Sequence, residues 1–136
     1  VGYDAEDQII KHYRVDKMIR IKMSDEPREG KEHFRQFDIA AYTRKNFAMY
    51  GGKEERVKLL MDNSLTGVVI DRFGKDISLI PADEERFTVS VDVAVSRQFV
   101  GWLFALGKGA EIIGPDKVVR QVREEIRRLA EQYEVK

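Results

Sequence analysis

From Arg86 to Val95 the chain alternates without a break. Phe87, Val89, Val91, Val93 and Val95 fall on one side of an extended backbone, and Arg86, Thr88, Ser90, Asp92 and Ala94 fall on the other. Successive side chains of a strand point to opposite faces, so this run specifies a strand with one apolar and one wetted face. An apolar sheet face has to be covered by a second layer, and the flanking sequence supplies one. Ser96 is placed to cap a helix that carries Phe99, Trp102, Leu103 and Leu106 at helical spacing and stops at Gly107. Ala110 to Ile113 reads as a further strand. A last helix opens at Pro115 and buries Val118, Val119, Val122, Ile126, Leu129 and Tyr133 along one stripe.

Upstream, Val57, Leu59 and Met61 alternate with Arg56 and Lys58, which predicts a strand. Asn63 and Ser64 are candidate caps for a helix with Leu65, Val68, Val69 and Arg72, closed by Gly74, and Ile77, Leu79 and Pro81 follow as a strand. The order from residue 56 is therefore βαββαβ plus a terminal helix. Two βαβ units with their helices on one face of a four-stranded antiparallel sheet make the ferredoxin-like arrangement, whose open face would carry Thr88, Ser90 and Asp92.

The first part of the chain follows a different pattern. Ile9 and Ile10 lead into His12, Tyr13, Arg14 and Val15, and Ile19, Ile21 and Met23 then alternate with Arg20, Lys22 and Ser24, which predicts strands through residue 24 with one face buried. Asp16-Lys17-Met18 is the expected change of direction. Residues 25–36 collect charge around one proline and one glycine, as an exposed loop does. Asp38 is a candidate N-cap for a short helix that runs out near Phe47. The domain boundary is expected between Ala48 and Lys53, around Gly51-Gly52, which divides the chain into 1–52 and 53–136. Beginning at Val1 inside a strand-like run, the sequence reads as a piece of a longer protein.

The 24 Lys and Arg residues balance 24 Asp and Glu, so no whole-molecule field draws the chain to nucleic acid or to an anionic membrane. The absence of cysteine removes disulfides, thiolate metal sites and cysteine nucleophiles. With only His12 and His33 as soft ligands, and no metal-binding spacing around them, neither a metal nor a cofactor is expected. The most apolar stretch, near Phe99 to Leu106, falls far short of the ~20 residues of a membrane span, and the chain is expected to be cytoplasmic. No nucleophile elbow, phosphate-binding glycine loop or acid/base pair occurs, and an enzyme is not expected.

The strongest local charge feature is Ile9 to Lys22, with five basic residues against Asp16. Interleaved with His12 and Tyr13, these cations suit a phosphate-bearing ligand, where arginine forms bidentate bonds and a ring stacks on a base. The more ordinary reading of such a stretch is that lysine and arginine keep surface strands soluble and blunt their edges. On the last helix Arg120, Arg123 and Arg127 share one side, but Glu124 and Glu131 lie within reach of Arg120, Arg127 and Arg128, and a salt-bridged solvated face is the expectation there. Trp102, in register with Phe99 and Leu106, is expected in a core or interface. Arg72, at a glycine-capped helix end, suits either an anion or a local carboxylate.

HYRVDKM at residues 12–18, DIAAYTRKNFAMYGG, VVIDRFG, SRQFVGWLFALG and the last helix, in that order, resemble the C-terminal half of bacterial WYL-domain transcriptional regulators across nearly the whole chain. The resemblance implies an α+β protein. Residues 1 to about 47 would be later strands and a trailing helix of an Sm-like β-barrel, cut short, and residues 53–136 would be the ferredoxin-like C-terminal extension domain. It implies a ligand-sensing and dimerisation module whose effector is single-stranded nucleic acid or nucleotide-like, with DNA bound only through a helix-turn-helix domain that this sequence lacks. Carried over by position, Tyr13, Arg14 and Asp16 match the family's pattern, and Lys17 stands where arginine is commoner and cannot form the bidentate fork. Arg14 is the leading candidate for anion contact, followed by Lys17 and His12, with Asp16 orienting them or turning the chain. Arg72 and Arg97 are further candidates for a groove or an interface. Two other readings stay open: a purely structural homodimerisation domain with Phe99, Trp102 and Phe104 at the subunit contact, and a small-metabolite sensor.

Overall fold

The alternating run forms the long strand around which the second part of the chain is built. The structure, a computed structural model, describes residues 1–47 and 53–136. These fall into two units, Val1–Tyr42 and Thr43–Lys136. The protein is mixed α+β, with two antiparallel sheets and four α-helices among the described residues. The boundary expected at Ala48 to Gly52 lies outside them.

In the second unit β3 (Lys53–Asp62), α2 (Thr66–Phe73), β4 (Leu79–Pro81), β5 (Arg86–Val95), α3 (Arg97–Ala105), β6 (Ala110–Gly114) and α4 (Asp116–Gln132) follow one another. The sheet order is β4-β5-β3-β6, with every neighbouring pair antiparallel. Val57, Leu59 and Met61 of β3 pair with Val91, Val89 and Phe87 of β5, so the two alternating runs present one continuous apolar face. That face is buried against Val69 of α2, Phe99, Val100 and Leu103 of α3, and Val118 of α4. Arg56, Lys58, Thr88, Ser90 and Asp92 occupy the opposite face, where Arg56 donates to Asp92 at 3.1 Å.

Local signals account for most of the boundaries. Ser96 Oγ accepts the Phe99 N–H at 3.2 Å and starts α3. Gly74, with φ +97°, closes α2 in a conformation that a side chain rarely adopts. Pro115 is the residue before the first turn of α4. The expected cap at Asn63 or Ser64 does not form. A 3-10 turn at Asn63–Leu65 precedes α2, and the Asn63 amide instead donates to the Glu84 carbonyl at 3.0 Å. The stripe of α4 is covered unevenly: Val118 is fully buried and Val119 and Val122 pack against the core, but Ile126 is 48% exposed and Tyr133 70%.

Before β3, α1 (Ile39–Lys45) begins at Asp38, whose Oδ1 accepts the N–H groups of Ala40 and Ala41 at 2.9 and 3.1 Å. Phe47 is buried in the core of the second unit, with its ring 5.2 Å from Phe99 and 5.3 Å from Trp102. Trp102 meets Phe73 edge to face at 5.7 Å and belongs to the same aromatic cluster.

The first unit is less regular than the pattern predicts. β1 (Gly2–Asp4) and β2 (Ile9–Lys11) form a two-stranded antiparallel hairpin, and a 3-10 turn at Val15–Lys17 makes the expected change of direction. The strand expected through Ile19, Ile21 and Met23 is absent, and those side chains are exposed rather than buried. Alternation supplies a face but not a ladder, and a hairpin of two short strands is a marginal template for a third. Arg20, with φ +55°, also interrupts the extended backbone. Among the described residues, no helix is long and apolar enough to cross a membrane.

Candidate functional site

The basic segment of the first unit is partly neutralised by carboxylates on its own hairpin. Asp4 ends β1 and holds the turn by accepting the Glu6 and Asp7 N–H groups on Oδ1. Its Oδ2 receives the Lys11 ammonium at 2.8 Å, and Lys11 also pairs with Asp7. The Tyr13 hydroxyl donates to the same Asp4 oxygen at 3.2 Å. These contacts, that from Lys11 foremost, lower the Asp4 carboxyl to about 2. Asp4 and Asp7 are the counter-ions that sequence reasoning missed. The signal was the acidic turn between the two strands.

A carboxyl with a folded-state pKa below its ordinary 3.8 stabilises the hairpin above that value, and the contribution is lost as pH falls through about 2. The β1–β2 amides are therefore expected to keep their exchange protection above about pH 4 and to lose it progressively on acidification toward 2. In Lys11→Ala the Asp4 titration, followed by carboxyl NMR, should move back toward 3.8.

Of the sequence candidates, Arg14 and Asp16 meet each other. Arg14 Nε and Nη2 donate to the two Asp16 oxygens at 3.1 and 2.7 Å, a bidentate pair that holds the Asp16 carboxyl below its ordinary range. His12 Nδ1 lies 2.7 Å from the Tyr42 hydroxyl. Tyr13 is turned to Asp4, and this contact together with desolvation raises its hydroxyl, desolvation being the larger cause. Lys17 is exposed and makes no ion pair among the described residues, and the same holds for Arg20 and Lys22 farther along. All four cations are exposed, but Arg14 is paired with Asp16, whereas those after Arg14 make no ion pair among the described residues.

None of these residues lines the cleft of about 960 Å³ in the same unit. Its walls include Tyr3, Pro27, Arg28, Glu29, Lys31 and Phe34. Tyr3 stacks on His33 with ring centroids 3.9 Å apart. Arg28 and Lys31 make no ion pair among the described residues. Two cations and two aromatic rings around one concavity can hold an anion attached to a flat ring. Apart from Tyr3 on β1, these residues come from the loop at 25–36, where charge density was legible but concavity was not.

In the second unit Arg72 is half-buried. Its Nη2 donates to the Asn46 carbonyl at 2.9 Å, its guanidinium carbon sits 3.9 Å over the Phe47 ring, and burial lowers its pKa. It braces the aromatic cluster, and the local carboxylate foreseen as one possible partner is not paired with it among the described residues. Arg97 is exposed, with Nε 3.8 Å from Glu125 Oε1. Phe99 is fully buried and Trp102 is half-buried in the core, so of the three aromatics considered for a subunit contact only Phe104, 39% exposed, lies on the surface. The salt-bridged face expected for Arg120, Arg127 and Arg128 forms only at Arg128, and Arg120, Arg123 and Arg127 stay outside it. Glu125 takes Arg128, at 2.7 Å, and those three arginines make no ion pair among the described residues. Among the described residues no cluster of three or more His, Asp or Glu is placed to hold a metal ion.

A family model described as the WCX domain matches residues 53–130, more than half of the chain. No curated protein matches it.

Proposed function

Because the chain belongs to the WCX domain family, whose domain is a C-terminal part of WYL-type regulators, we propose that it is the non-enzymatic sensing and dimerisation module of a bacterial, cytoplasmic transcriptional regulator. In this reading the second unit is ferredoxin-like, which its strand order β4-β5-β3-β6 supports. The first unit is part of an Sm-like barrel and receives a nucleotide-like or single-stranded nucleic-acid effector. The single observation carrying the ligand is the cleft in which Arg28 and Lys31 stand beside Tyr3 and Phe34. Lys17, Arg20 and Lys22, exposed and without an ion pair among the described residues, extend the positive surface, whereas Arg14 already has its fork filled by Asp16. Effector binding would change the geometry of a dimer and so reach the DNA-binding domain.

Titration of the chain with a fluorescent single-stranded oligonucleotide and with a mononucleotide, each at two salt concentrations, tests the ligand. Arg28→Ala/Lys31→Ala is expected to weaken both about tenfold, as removing charge-assisted hydrogen bonds does. Lys17→Ala/Arg20→Ala/Lys22→Ala should lower the salt slope for the oligonucleotide by up to about 2, at ~0.7 for each phosphate no longer neutralised. Arg14→Ala should change affinity by less than about twofold, since its exposed pair with Asp16 holds it already. Absence of binding, or binding indifferent to all of these changes, overturns the effector assignment.

A further inference from the structure

We infer that the free edge of β6, with the adjoining flank of α4, is the surface on which a second copy of this chain docks. The inference rests on the dimerisation part of the regulatory reading and assigns the contact to particular residues.

The four-stranded sheet ends in two edges that differ in kind. On one side β4 is three residues long and finishes at Pro81, which has no N–H to offer a neighbour. On the other, β6 spans Ala110–Gly114, contains no proline or lysine, and carries Glu111 as its one charge. Among the described residues, no further strand lies beyond β6 in the sheet. Ile113 stands 40% exposed on this strand. An edge left in this state is a template for another strand.

Beside it lies a depression of about 510 Å³ whose walls include Glu111, Ile113, Asp116, Val119, Arg120 and Arg123. Neither the two acids nor the two arginines make an ion pair among the described residues. Ile126, seven residues beyond Val119, lies on the same flank of α4 and is 48% exposed. The apolar groups thus sit among charges of both signs that make no ion pair among the described residues.

That mixture selects the occupant. An acidic peptide or a nucleic acid would be opposed by Glu111 and Asp116, and a basic partner by Arg120 and Arg123. A two-fold axis at the edge pairs β6 with its own copy antiparallel, and sets the acids of one protomer against the arginines of its partner. The same patch is then complementary to itself, and the two sheets continue into one.

Sedimentation equilibrium of the whole chain and of two charge-reversed variants tests this. The native chain is expected at twice its 15.8 kDa mass. Arg120→Glu/Arg123→Glu and Glu111→Arg/Asp116→Arg should each sediment as monomers with unchanged circular dichroism. Mixed in equal amounts, the two variants should recover the dimer mass, which a folding defect could not produce. Should both variants remain dimeric, or should the mixture of folded monomers fail to associate, this surface is wrong while a dimeric regulator stands. A native chain that is monomeric at every concentration overturns the surface and the dimerisation reading together.

Discussion

Replacing Phe99 with alanine is expected to destabilise the Thr43–Lys136 unit by about 3–5 kcal/mol, the range for removing a fully buried phenyl ring. At ~4–8 °C per kcal/mol for a domain of this size, its thermal midpoint should fall by about 12 °C or more. Phe99 has no exposed surface, meets Phe47 edge to face at 5.2 Å and lies 6.3 Å from Trp102. It is also the residue whose N–H is held by the Ser96 cap, so its side chain is delivered into the core by the first turn of α3. Little can collapse into the space it leaves, because Val57, Leu59 and Val89 on the facing strands are fixed by the sheet register. Emission from Trp102, the chain's one tryptophan, reports the same cluster and should shift to the red. Phe104→Ala on the exposed side of the same helix should change stability by no more than about 0.5 kcal/mol. Equal losses at the two positions would contradict the placement of the core.

What could be read in advance followed from how local the controlling physics is. The strands at β3 and β5 and the helix α3 were legible because alternation, a serine cap and 3.6-residue spacing all act within one element. Each reports a face that the element must bury, and here that face is buried. Ile19, Ile21 and Met23 carry the same alternation and remain exposed, since a strand also needs a hydrogen-bonding edge, which no property of its own sequence provides. Charge was misjudged for a related reason. Counting Lys11 as a free cation required knowing that Asp4 and Asp7 would not fold onto it, and the hairpin turn decides that, whereas Asp16, two residues from Arg14, was legible as its partner. On α4 the error ran the other way: Glu124 and Glu131 were spaced to neutralise the arginines, but Glu125 takes both Arg97 and Arg128 and leaves Arg120 and Arg123 to the β6 edge.

Gly30→Ala is the substitution expected to act most strongly on the first unit. Gly30 is buried in a loop that composition alone marks as exposed, and its φ of +76° lies in the left-handed region. A methyl group there costs about 1–2 kcal/mol for the backbone conformation alone. Its Cβ would also stand 2.7 Å from Cβ and Cγ of Tyr3. These atoms belong to the root of the Tyr3 side chain, which β1 holds in place by pairing Tyr3 with Ile10, so the overlap cannot be relieved by a rotamer change and adds about 1–3 kcal/mol. Either Tyr3 leaves its stack on His33 or the loop leaves β1. In a unit this small, such a loss is comparable to the whole of its stability. Hydrogen exchange should show the Gly2–Asp4 and Ile9–Lys11 amides losing protection, and the Tyr3 ring resonances should move to unstacked positions. Gly30→Asn, which tolerates the left-handed backbone but carries the same Cβ, should recover only the conformational part. Because Tyr3 and Lys31 line the cleft, oligonucleotide affinity should fall in step with protection in both variants. Full protection and a retained stack in Gly30→Ala would mean that the Tyr3–Gly30 approach does not organise this unit, and the cleft would lose its structural basis.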